Sequence, residues 1–376
     1  MQTRFSLAQL ADPDIEAAND ILRACVHCGF CTATCPTYVL LGDENDGPRG
    51  RIYLIKEMLE AGGAAPEPVV THVDRCLSCL SCMTTCPSSV HYMHLVDIAR
   101  KRIEETHRRP MFDRLLRRAL AEILPHRSRF RIVLRLASWL RALAPIAPSA
   151  LRPLLALAPR RIPDTASRDT GVFAAEGEPK RRVALLAGCV QRTLAPEINA
   201  ATIRLLTRLG CEVVVPEAAG CCGALTHHLG RETDALASAR ANLSVWRREI
   251  DTGGLDAVVV NASGCGTMVK DYGFLLRNDP EWAEPASHIS ALTCDISELV
   301  DDIGLPEPRR DVGGIVAYQS ACSLRHGQKV IDTPVRLLRD AGFEVREPTE
   351  PHLCCGSAGT YNILQPEIAI RLRDRK

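Results

Sequence analysis

The sequence predicts a mixed fold, in which an α-helical N-terminal domain built around two cysteine runs precedes a duplicated α/β domain. Two runs of four cysteines with identical spacing lie within residues 25–87. A series of strand, cysteine, helix, strand and Cys-Cys-Gly occurs twice in the second half, and a basic, proline-rich stretch separates the halves. At about 150 residues per domain, 376 residues are enough for this division. We expect four segments: 1–110, 111–178, 179–310 and 311–376.

Composition excludes several classes of protein. The chain is 46% hydrophobic with a net charge of +1, so it is neither disordered nor attracted as a whole to nucleic acid. It opens without a secretory signal, and its longest uncharged runs, 24–42 and 76–96, are interrupted by Pro36 and Pro87, which argues against a membrane span. Seventeen cysteines in a chain that we expect to be cytoplasmic indicate metal binding rather than disulfides.

Both cysteine runs have the spacing C-x2-C-x2-C-x3-C-P, and they begin 51 residues apart. This is the spacing of bacterial ferredoxins, where the fourth cysteine of each run binds the cluster of the other run. The rule predicts two 4Fe-4S clusters in this chain. The expected ligands are Cys25, Cys28, Cys31 and Cys86, here called the first ferredoxin set, and Cys76, Cys79, Cys82 and Cys35, the second ferredoxin set.

The alternative for these runs is a pair of zinc sites, because C-x2-C pairs also bind zinc. Two complete four-cysteine runs, each closed by Cys-Pro, favour iron-sulfur clusters. Apolar spacing predicts one helix over 48–59, between the runs, and a second helix over 96–106, after them, which indicates the helical kind of ferredoxin domain. Four nearby histidines lie outside the ligand spacing and are expected to be surface or supporting residues: His27, His72, His91 and His94.

The stretch 114–161 contains eleven arginines and one acidic residue, Glu122, interleaved with aliphatic residues and Trp139. This pattern predicts one or two basic amphipathic helices. Two interpretations stay open: a helical linker docked on its own protein, or a helix on a membrane surface that brings an electron carrier near quinone. The prolines between 145 and 163 and the segment 164–179 predict a linker, with a domain boundary near 175.

The second half of the chain is a repeat. A buried-strand pattern over 182–188 opens the first copy, and a similar pattern over 314–318 opens the second. Corresponding cysteines lie 133 residues apart, and in both copies 32 residues separate the single cysteine from the Cys-Cys pair. These matches predict a duplicated α/β unit. The shared cysteines are Cys189, Cys221 and Cys222 in the first copy and Cys322, Cys354 and Cys355 in the second.

The first copy has a further cysteine, Cys265, directly after a predicted strand at 257–260. Thiols at the carboxyl ends of parallel strands meet at one sheet edge, so this copy predicts a third metal site. The equivalent of Cys265 in the second copy would fall beyond Lys376, so we expect an incomplete site and a truncated C-terminus. A redox-active disulfide is the alternative. The first CCG site comprises Cys189, Cys221, Cys222 and Cys265, and the second comprises Cys322, Cys354 and Cys355.

Several other residues near these sites have simpler roles. Cys211 and Cys294 have no equivalent in the repeat, and we expect them to fill apolar space. The lone histidines that follow the CCG cysteines are expected to be structural, although their place also permits contact with a cluster or a partner. They are His227, His228 and His326.

Two ferredoxin runs followed by two Cys-Cys-Gly modules resemble the iron-sulfur subunits of glycolate oxidase. The local matches are 25–36 (CVHCGFCTATCP), 47–51 (GPRGR), 223–230 (GALTHHLG) and 354–362 (CCGSAGTYN). The resemblance implies FAD-containing partner subunits that oxidise glycolate to glyoxylate, while this chain passes electrons to a quinone or another respiratory carrier. It also implies a longer C-terminus. Heterodisulfide reductases resemble the chain only in part, because Ala262 and Met268 stand where their C-x2-C pairs would place a further cysteine.

The chain contains no flavin or nicotinamide fingerprint and no P-loop, so we expect substrate chemistry in another subunit and no catalytic residue here. A partner that oxidises D-lactate or glycerol 3-phosphate is the alternative within the same class. A disulfide-reducing enzyme is a second alternative. A zinc-dependent nucleic-acid module is disfavoured, because the basic stretch offers only Trp139 as an aromatic at its centre.

Overall fold

A computed structural model describes residues 1–146, 152–163, 169–306 and 313–376 of the protein. The predicted linker over 164–179 therefore lies partly outside the described residues, as does the predicted boundary at 310/311. The predicted mixed fold, with a helical ferredoxin domain before a duplicated α/β domain, is confirmed.

The N-terminal domain packs short helices around one apolar core. Leu22, Ile55 and Leu95, from three different helices, are each fully buried in it. The predicted helices over 48–59 and 96–106 are present as α5 and α8, and α8 begins four residues earlier than expected. The helices are α1 (Leu7–Leu10), α2 (Pro13–Ala24), α3 (Phe30–Ala33), α4 (Pro36–Leu41), α5 (Pro48–Ala61), α6 (Glu67–Asp74), α7 (Ser81–Thr85) and α8 (Tyr92–Thr106), with a 3-10 turn at Glu44–Asp46.

Local sequence explains the ends of α5. Pro48 occupies the first turn, where its missing N–H costs nothing, and Gly62 ends the helix with a φ of +70° that a glycine adopts readily. Gly50 lies against the 3-10 turn, where a Cβ atom would collide with the backbone of Glu44. The turn and the helix therefore pack closely, and both approach the cysteines of the second ferredoxin set.

The basic stretch forms two helices, α9 (Met111–Ile123) and α10 (Arg127–Leu140), followed by a 3-10 turn (Arg141–Ile146) and α11 (Arg152–Leu157). One face of α9 is docked, because Leu120 and Ala121 pack against Leu229 of the α/β domain. The inner face of α10 is also buried, whereas its outer face exposes large apolar side chains. Docking of the linker on its own protein therefore explains the buried inner faces of α9 and α10, but it does not explain the exposed apolar side chains on the outer face of α10.

The first copy of the repeat forms a five-stranded sheet in the order β1-β3-β2-β4-β5. β1 is antiparallel to β3, and the other neighbours are parallel. The strands are β1 (Gly171–Phe173), β2 (Arg181–Leu185), β3 (Cys211–Val215), β4 (Ala257–Val260) and β5 (Thr293–Asp295). The helices are α12 (Gln191–Leu194), α13 (Pro196–Arg208), α14 (Ala224–His228), α15 (Glu232–Gly253), α16 (Ser263–Lys270), α17 (Tyr272–Leu275), α18 (Ala283–Leu292) and α19 (Ile296–Ile303).

Apolar strands with helices on both faces explain this architecture. Val183, Val213 and Val259 face one layer of the core, while Ala184 and Val258 face the other, as strand alternation requires. Cys211 is completely buried in the first of these layers, with Cys294 packed at its margin. Both cysteines are thus apolar fillers, as predicted.

The second copy repeats the unit in shorter form. Two parallel strands, β6 (Ile315–Ala317) and β7 (Glu344–Arg346), are joined through α20 (Thr333–Asp340). A π-helical turn (Ser323–Gly327), α21 (Tyr361–Leu364) and α22 (Pro366–Arg375) complete the described part. This copy packs against the ferredoxin domain, where the Tyr361 hydroxyl donates to the carbonyl oxygen of Arg75 at 3.0 Å.

Candidate metal centres

The first ferredoxin set surrounds a cavity near the surface. Its four cysteines all line this cavity, together with Tyr92 and Pro87. Burial raises the pKa of the Cys31 thiol to about 11, and Cys25 and Cys86 beside it act in the same direction. Cys28 is exposed, as are the flanking Val26 and Phe30. The Cys31 thiol therefore resists ionisation unless a cation binds beside it, which fits a metal centre.

The second ferredoxin set is buried deeper. Burial raises the pKa values of Cys79 and Cys82 well above the ordinary thiol value, and Cys35 contributes to the shift of both thiols. Cys35 therefore lies with the cysteines of the second run, while Cys86 lies with those of the first. Cys82 also lines the cavity of the first set, and Cys31 acts on the pKa of Cys82, so the two sets adjoin each other and the exchange of fourth cysteines stays a prediction.

Both runs fold into the same loop. In the first run His27 and Gly29 have positive φ angles, and in the second run Ser78 and Leu80, each 51 residues later, also have positive φ angles. Side chains such as leucine rarely adopt this left-handed conformation, so the surrounding structure must hold it in place. A loop repeated in this form wraps its thiols around a common centre.

The second ferredoxin set has charged neighbours that the cysteine spacing does not reveal. Arg51 is 1% exposed, and its Nη1 lies 3.8 Å from Cys35 Sγ. Asp46 is fully buried, and its carboxylate receives hydrogen bonds from Arg75 and His72 at 2.9 Å. Asp43, Asp46 and His72 lie close enough together to bind a small cation. Both carboxylate oxygens of Asp46, however, already accept hydrogen bonds.

The first CCG site assembles at the carboxyl ends of three parallel strands. Cys189 follows β2, the Cys221-Cys222 pair follows β3, and Cys265 lies in α16 after β4. The sulfur atoms of Cys189 and Cys221 are 3.5 Å apart, and this contact raises the pKa of Cys189 and lowers that of Cys221. Cys222 interacts with both Cys221 and Cys265. The four thiols predicted from the sequence therefore meet at one place.

Polar contacts hold the Cys-Cys turn of this site. The Tyr272 hydroxyl donates to the carbonyl oxygen of Cys222 at 2.7 Å, and Asn242 Nδ2 donates to the carbonyl oxygen of Cys221 at 2.9 Å. Both side chains are fully buried. Sequence inspection missed these two residues, because they come from helices distant along the chain.

The second CCG site brings together three thiols. Hydrogen bonding with Cys322 raises the pKa of Cys354 to about 12, and its neighbour Cys355 is exposed. Cys354 also acts on the pKa of Cys79, so this site adjoins the second ferredoxin set. Leu77 and Cys79 share an apolar cluster with Cys354.

The loop around Cys322 contains polar atoms that are buried without a hydrogen-bond partner among the described residues. Such atoms are costly unless a bound group satisfies them. Gln328 contacts Ser263 beside the first CCG site and His326 contacts Thr84 of the ferredoxin domain, so these atoms lie between the sites and are not confined to the second one. The atoms are Gln319 Oε1, Ser320 Oγ, His326 Nε2 and Gln328 Oε1.

The histidines near the sites form specific contacts. His94 pairs with Asp271 at 2.8 Å, and His227 and His228 both lie 3.4 Å from Asp97. His326 Nδ1 is 2.8 Å from Thr84 Oγ1 of the ferredoxin domain. Most of these residues thus join the α/β domain to the N-terminal domain, in agreement with a structural role.

Soft thiol donors in sets of four fit iron-sulfur clusters, and the four cysteines of the first ferredoxin set line one cavity. Within the described residues, we find no helix with the length and apolar character needed to cross a membrane.

Two protein families match separate parts of the chain. Residues 21–90 match the 4Fe-4S dicluster domain family, and residues 183–270 and 316–376 match a cysteine-rich domain family, CCG. These ranges contain the cysteines of the ferredoxin sets and of the CCG sites. The 4Fe-4S match supports iron-sulfur clusters over zinc in the first part of the chain.

Full-length relatives share this arrangement. The chain is 42% identical to the glycolate oxidase iron-sulfur subunit of Escherichia coli, over all of this chain and 89% of the relative. It is 33% identical to a probable glycolate oxidase iron-sulfur subunit of Bacillus subtilis, over 94% of this chain and 83% of the relative. Lactate utilization protein A of Geobacillus kaustophilus is 30% identical over 52% of this chain and 80% of its own length.

Proposed function

The chain belongs to the family of glycolate oxidase iron-sulfur subunits, and we propose that it carries electrons within a complex whose flavoprotein subunits oxidise glycolate to glyoxylate. The observation that carries the proposal is the pair of complete ferredoxin-type cysteine runs, within a 4Fe-4S dicluster match, in a chain that is similar to such a subunit over its full length. Clusters held by these thiols would supply one-electron chemistry. The FAD of the complex would lie in the partner subunits.

The positions of the thiol sets support this role. The first set reaches the surface at Cys28, the second set is buried beside it, and the second CCG site adjoins Cys79 and reaches the surface at Cys355. We propose that these thiols form a series between two exposed points, Cys28 and Cys355. We propose that the flavoprotein docks near Cys28 and that the CCG sites hold a further cluster on the side of the electron acceptor.

Reduction of the assembled complex by its substrate tests the proposal. The complex is isolated anaerobically through a tag on this chain, glycolate is added, and the broad iron-sulfur absorbance is recorded. We expect bleaching in the wild type and in the control Cys294→Ser, which alters a cysteine outside the thiol sets. Cys28→Ser should retain reduction of the flavin by glycolate and lose turnover with a dye acceptor. Loss of flavin reduction in an assembled variant would contradict a pure electron-transfer role.

A complex that oxidises D-lactate is the second candidate, because the similarity extends to lactate utilization protein A over about half of the chain. The same experiment decides between the substrates. If the clusters stay oxidised with glycolate and bleach with D-lactate, this chain is still an electron-transfer subunit, but its flavoprotein partner oxidises D-lactate. Glycerol 3-phosphate serves as a third substrate in the comparison.

We also propose that α10 rests on the cytoplasmic surface of a membrane, where a quinone is available as the acceptor. Ile132, Leu136 and Trp139 share one helical face of α10, where Trp139 is 80% exposed, and the 3-10 turn that follows exposes Leu143 and Ile146. Exposed arginines, including Arg129 and Arg135, flank this apolar stripe. An apolar stripe with basic flanks fits the headgroup region of an anionic membrane.

Vesicle binding tests this location. The complex is sedimented with vesicles of phosphatidylglycerol and phosphatidylcholine, and we expect binding that increases with the fraction of phosphatidylglycerol and decreases with salt. Trp139→Glu should abolish binding, whereas Ile198→Glu, at an exposed apolar position on α13, should leave it unchanged. Equal binding of both variants, or wild-type complex that stays in the supernatant, would refute the membrane contact.

A further inference from the structure

Arg51 is a buried cation in the wall of the second ferredoxin set. It lies in the first turn of α5 and is 1% exposed. Its Nε donates to the carbonyl oxygen of His72 at 2.6 Å, and its Nη2 donates to Thr37 Oγ1 at 3.0 Å. These bonds fix the guanidinium in one orientation.

In that orientation, Arg51 faces two sulfur atoms of the set. Its Nη1 is 3.8 Å from Cys35 Sγ, and its charge also interacts with Cys76. The Tyr92 hydroxyl, at the same wall, lies 3.8 Å from Cys76 Sγ. The two cysteines belong to different runs, so Arg51 stands where the two runs meet.

The nearest carboxylate does not neutralise this charge fully. Asp46 Oδ1 is 3.6 Å from Arg51 Nη2, but Asp46 makes shorter contacts of 2.9 Å with His72 and Arg75. One carboxylate is therefore shared among three basic groups. The guanidinium retains positive charge to direct at the sulfur atoms.

The first ferredoxin set has no comparable buried cation among the described neighbours. Arg49 acts on Cys31, but its side chain is 36% exposed and it pairs with Glu44 at 2.6 Å. Water and Glu44 screen this charge, whereas the interaction of a buried charge is several times stronger. The two sets thus differ in their electrostatic surroundings, although their loops are alike.

We propose that Arg51 raises the reduction potential of the centre held by the second ferredoxin set. The inference rests on the proposed function, because the electron comes from the flavoprotein partner. Reduction adds one electron and one negative charge to the centre and breaks no bond. A fixed cation beside the sulfur ligands stabilises the added charge without uptake of a proton. Arg51 is thus a positioning residue that favours residence of the electron at the buried centre.

Redox titration of the anaerobic complex, followed by electron paramagnetic resonance, tests this role. In Arg51→Gln, the midpoint potential of one centre should fall by at least the equivalent of a tenfold change in its reduction equilibrium, about 59 mV for one electron. Arg51→Lys keeps the charge but loses the forked contacts, so its shift should have the same sign and be smaller. The matched control Arg49→Gln, two residues earlier, should leave the potential of the second centre unchanged.

Iron and sulfide contents are measured on each variant. If Arg51→Gln loses its iron, Arg51→Met, which keeps an unbranched stem without the charge, decides: a fall in the potential of the second centre supports the role, and an unchanged potential at full iron content overturns it. An equal fall in the reduction potentials of both centres would also overturn the proposal, because the charge of Arg51 lies beside the second ferredoxin set alone. Absence of iron-sulfur signals from the wild-type complex would instead refute the proposed function.

Discussion

At the scale of single residues, the fourth cysteine of each run is the most informative position. Cys86 belongs to the second run in sequence but lines the cavity of the first ferredoxin set, whereas Cys35 acts on Cys79 and Cys82. Cys86→Ser should therefore remove the same electron paramagnetic resonance signal as Cys28→Ser, the signal of the first centre. Cys35→Ser should remove the same signal as Cys79→Ser, the signal of the second centre. Cys294→Ser should leave both signals. Loss of the second-set signal in Cys86→Ser would contradict the exchange.

A second prediction at this scale concerns Gly50. An alanine Cβ here would collide with the backbone of Glu44, so either α5 or the 3-10 turn must shift. We expect Gly50→Ala to destabilise the domain by about 1–3 kcal/mol, the usual cost of overpacking, and to speed loss of iron. Gly63→Ala is the matched control, because a Cβ there meets no atom within 4 Å. Thermal unfolding of both variants provides the measurement, and equal midpoints would contradict this account.

The sequence reveals some of these residues and hides others for a physical reason. Ligand cysteines follow a local spacing rule, so the ferredoxin sets and the members of both CCG sites could be selected from the sequence alone. Arg51, Asp46 and Tyr272 act through contacts between elements distant along the chain. Nothing in the sequence around a buried arginine distinguishes it from a partly exposed one such as Arg49. The direction of each side chain follows from the packing of α5.

At the scale of elements, α8 is the main contact between the N-terminal domain and the first copy of the repeat. Lys101 binds both Asp14 and Glu232, and Arg277 of the α/β domain binds Asp14 at 2.8 Å. His94 stacks on Phe274. Helix periodicity predicted α8, but its partner is a surface of another domain, which no local pattern encodes. The same holds for α9, whose buried face meets Leu229.

The histidine contacts of α8 predict a dependence of stability on pH. Burial by itself would lower the pKa of His227, but the Asp97 carboxylate outweighs burial and the net pKa is raised. A raised histidine pKa contributes stability that is complete below the unfolded value of about 6.5 and disappears as pH rises through the folded value. The midpoint of thermal unfolding should therefore fall as pH rises from about 6 to 9.

Two variants isolate this effect. His227→Gln should flatten the decline of the unfolding midpoint with pH, because it removes the titrating group. His228→Gln should retain the decline, since His228 contacts the same carboxylate with a side chain that is 42% exposed. Asp271 and Glu232 also raise the pKa of His227 and stay in place in both variants. Identical pH profiles for the wild type and His227→Gln would refute the assignment.

At the scale of the whole molecule, the second copy of the repeat covers the second ferredoxin set. Ile368 and Leu372 of α22 pack with Leu77, which lies between two cysteines of that set, and Arg371 donates to the carbonyl oxygen of Leu40 at 2.8 Å. The duplication was evident in the sequence, but the two copies have different neighbours. The first packs against α8 and α9, and the second packs against the cluster-binding loops and also reaches α9 through Ile363 and Leu364.

This arrangement predicts that the C-terminal helix protects one centre. Leu372 is 1% exposed, so Leu372→Ala should cost about 2–5 kcal/mol in local packing and loosen α22 from Leu77. The second centre should then lose iron to a chelator faster than in the wild type, while the first centre keeps its rate, because its cavity is lined by other elements. Ile370→Ala, at a position 46% exposed on the same helix, should leave both rates unchanged. Resonance signals recorded during chelation separate the two centres, and faster loss from the first centre alone would show that α22 does not shield the second.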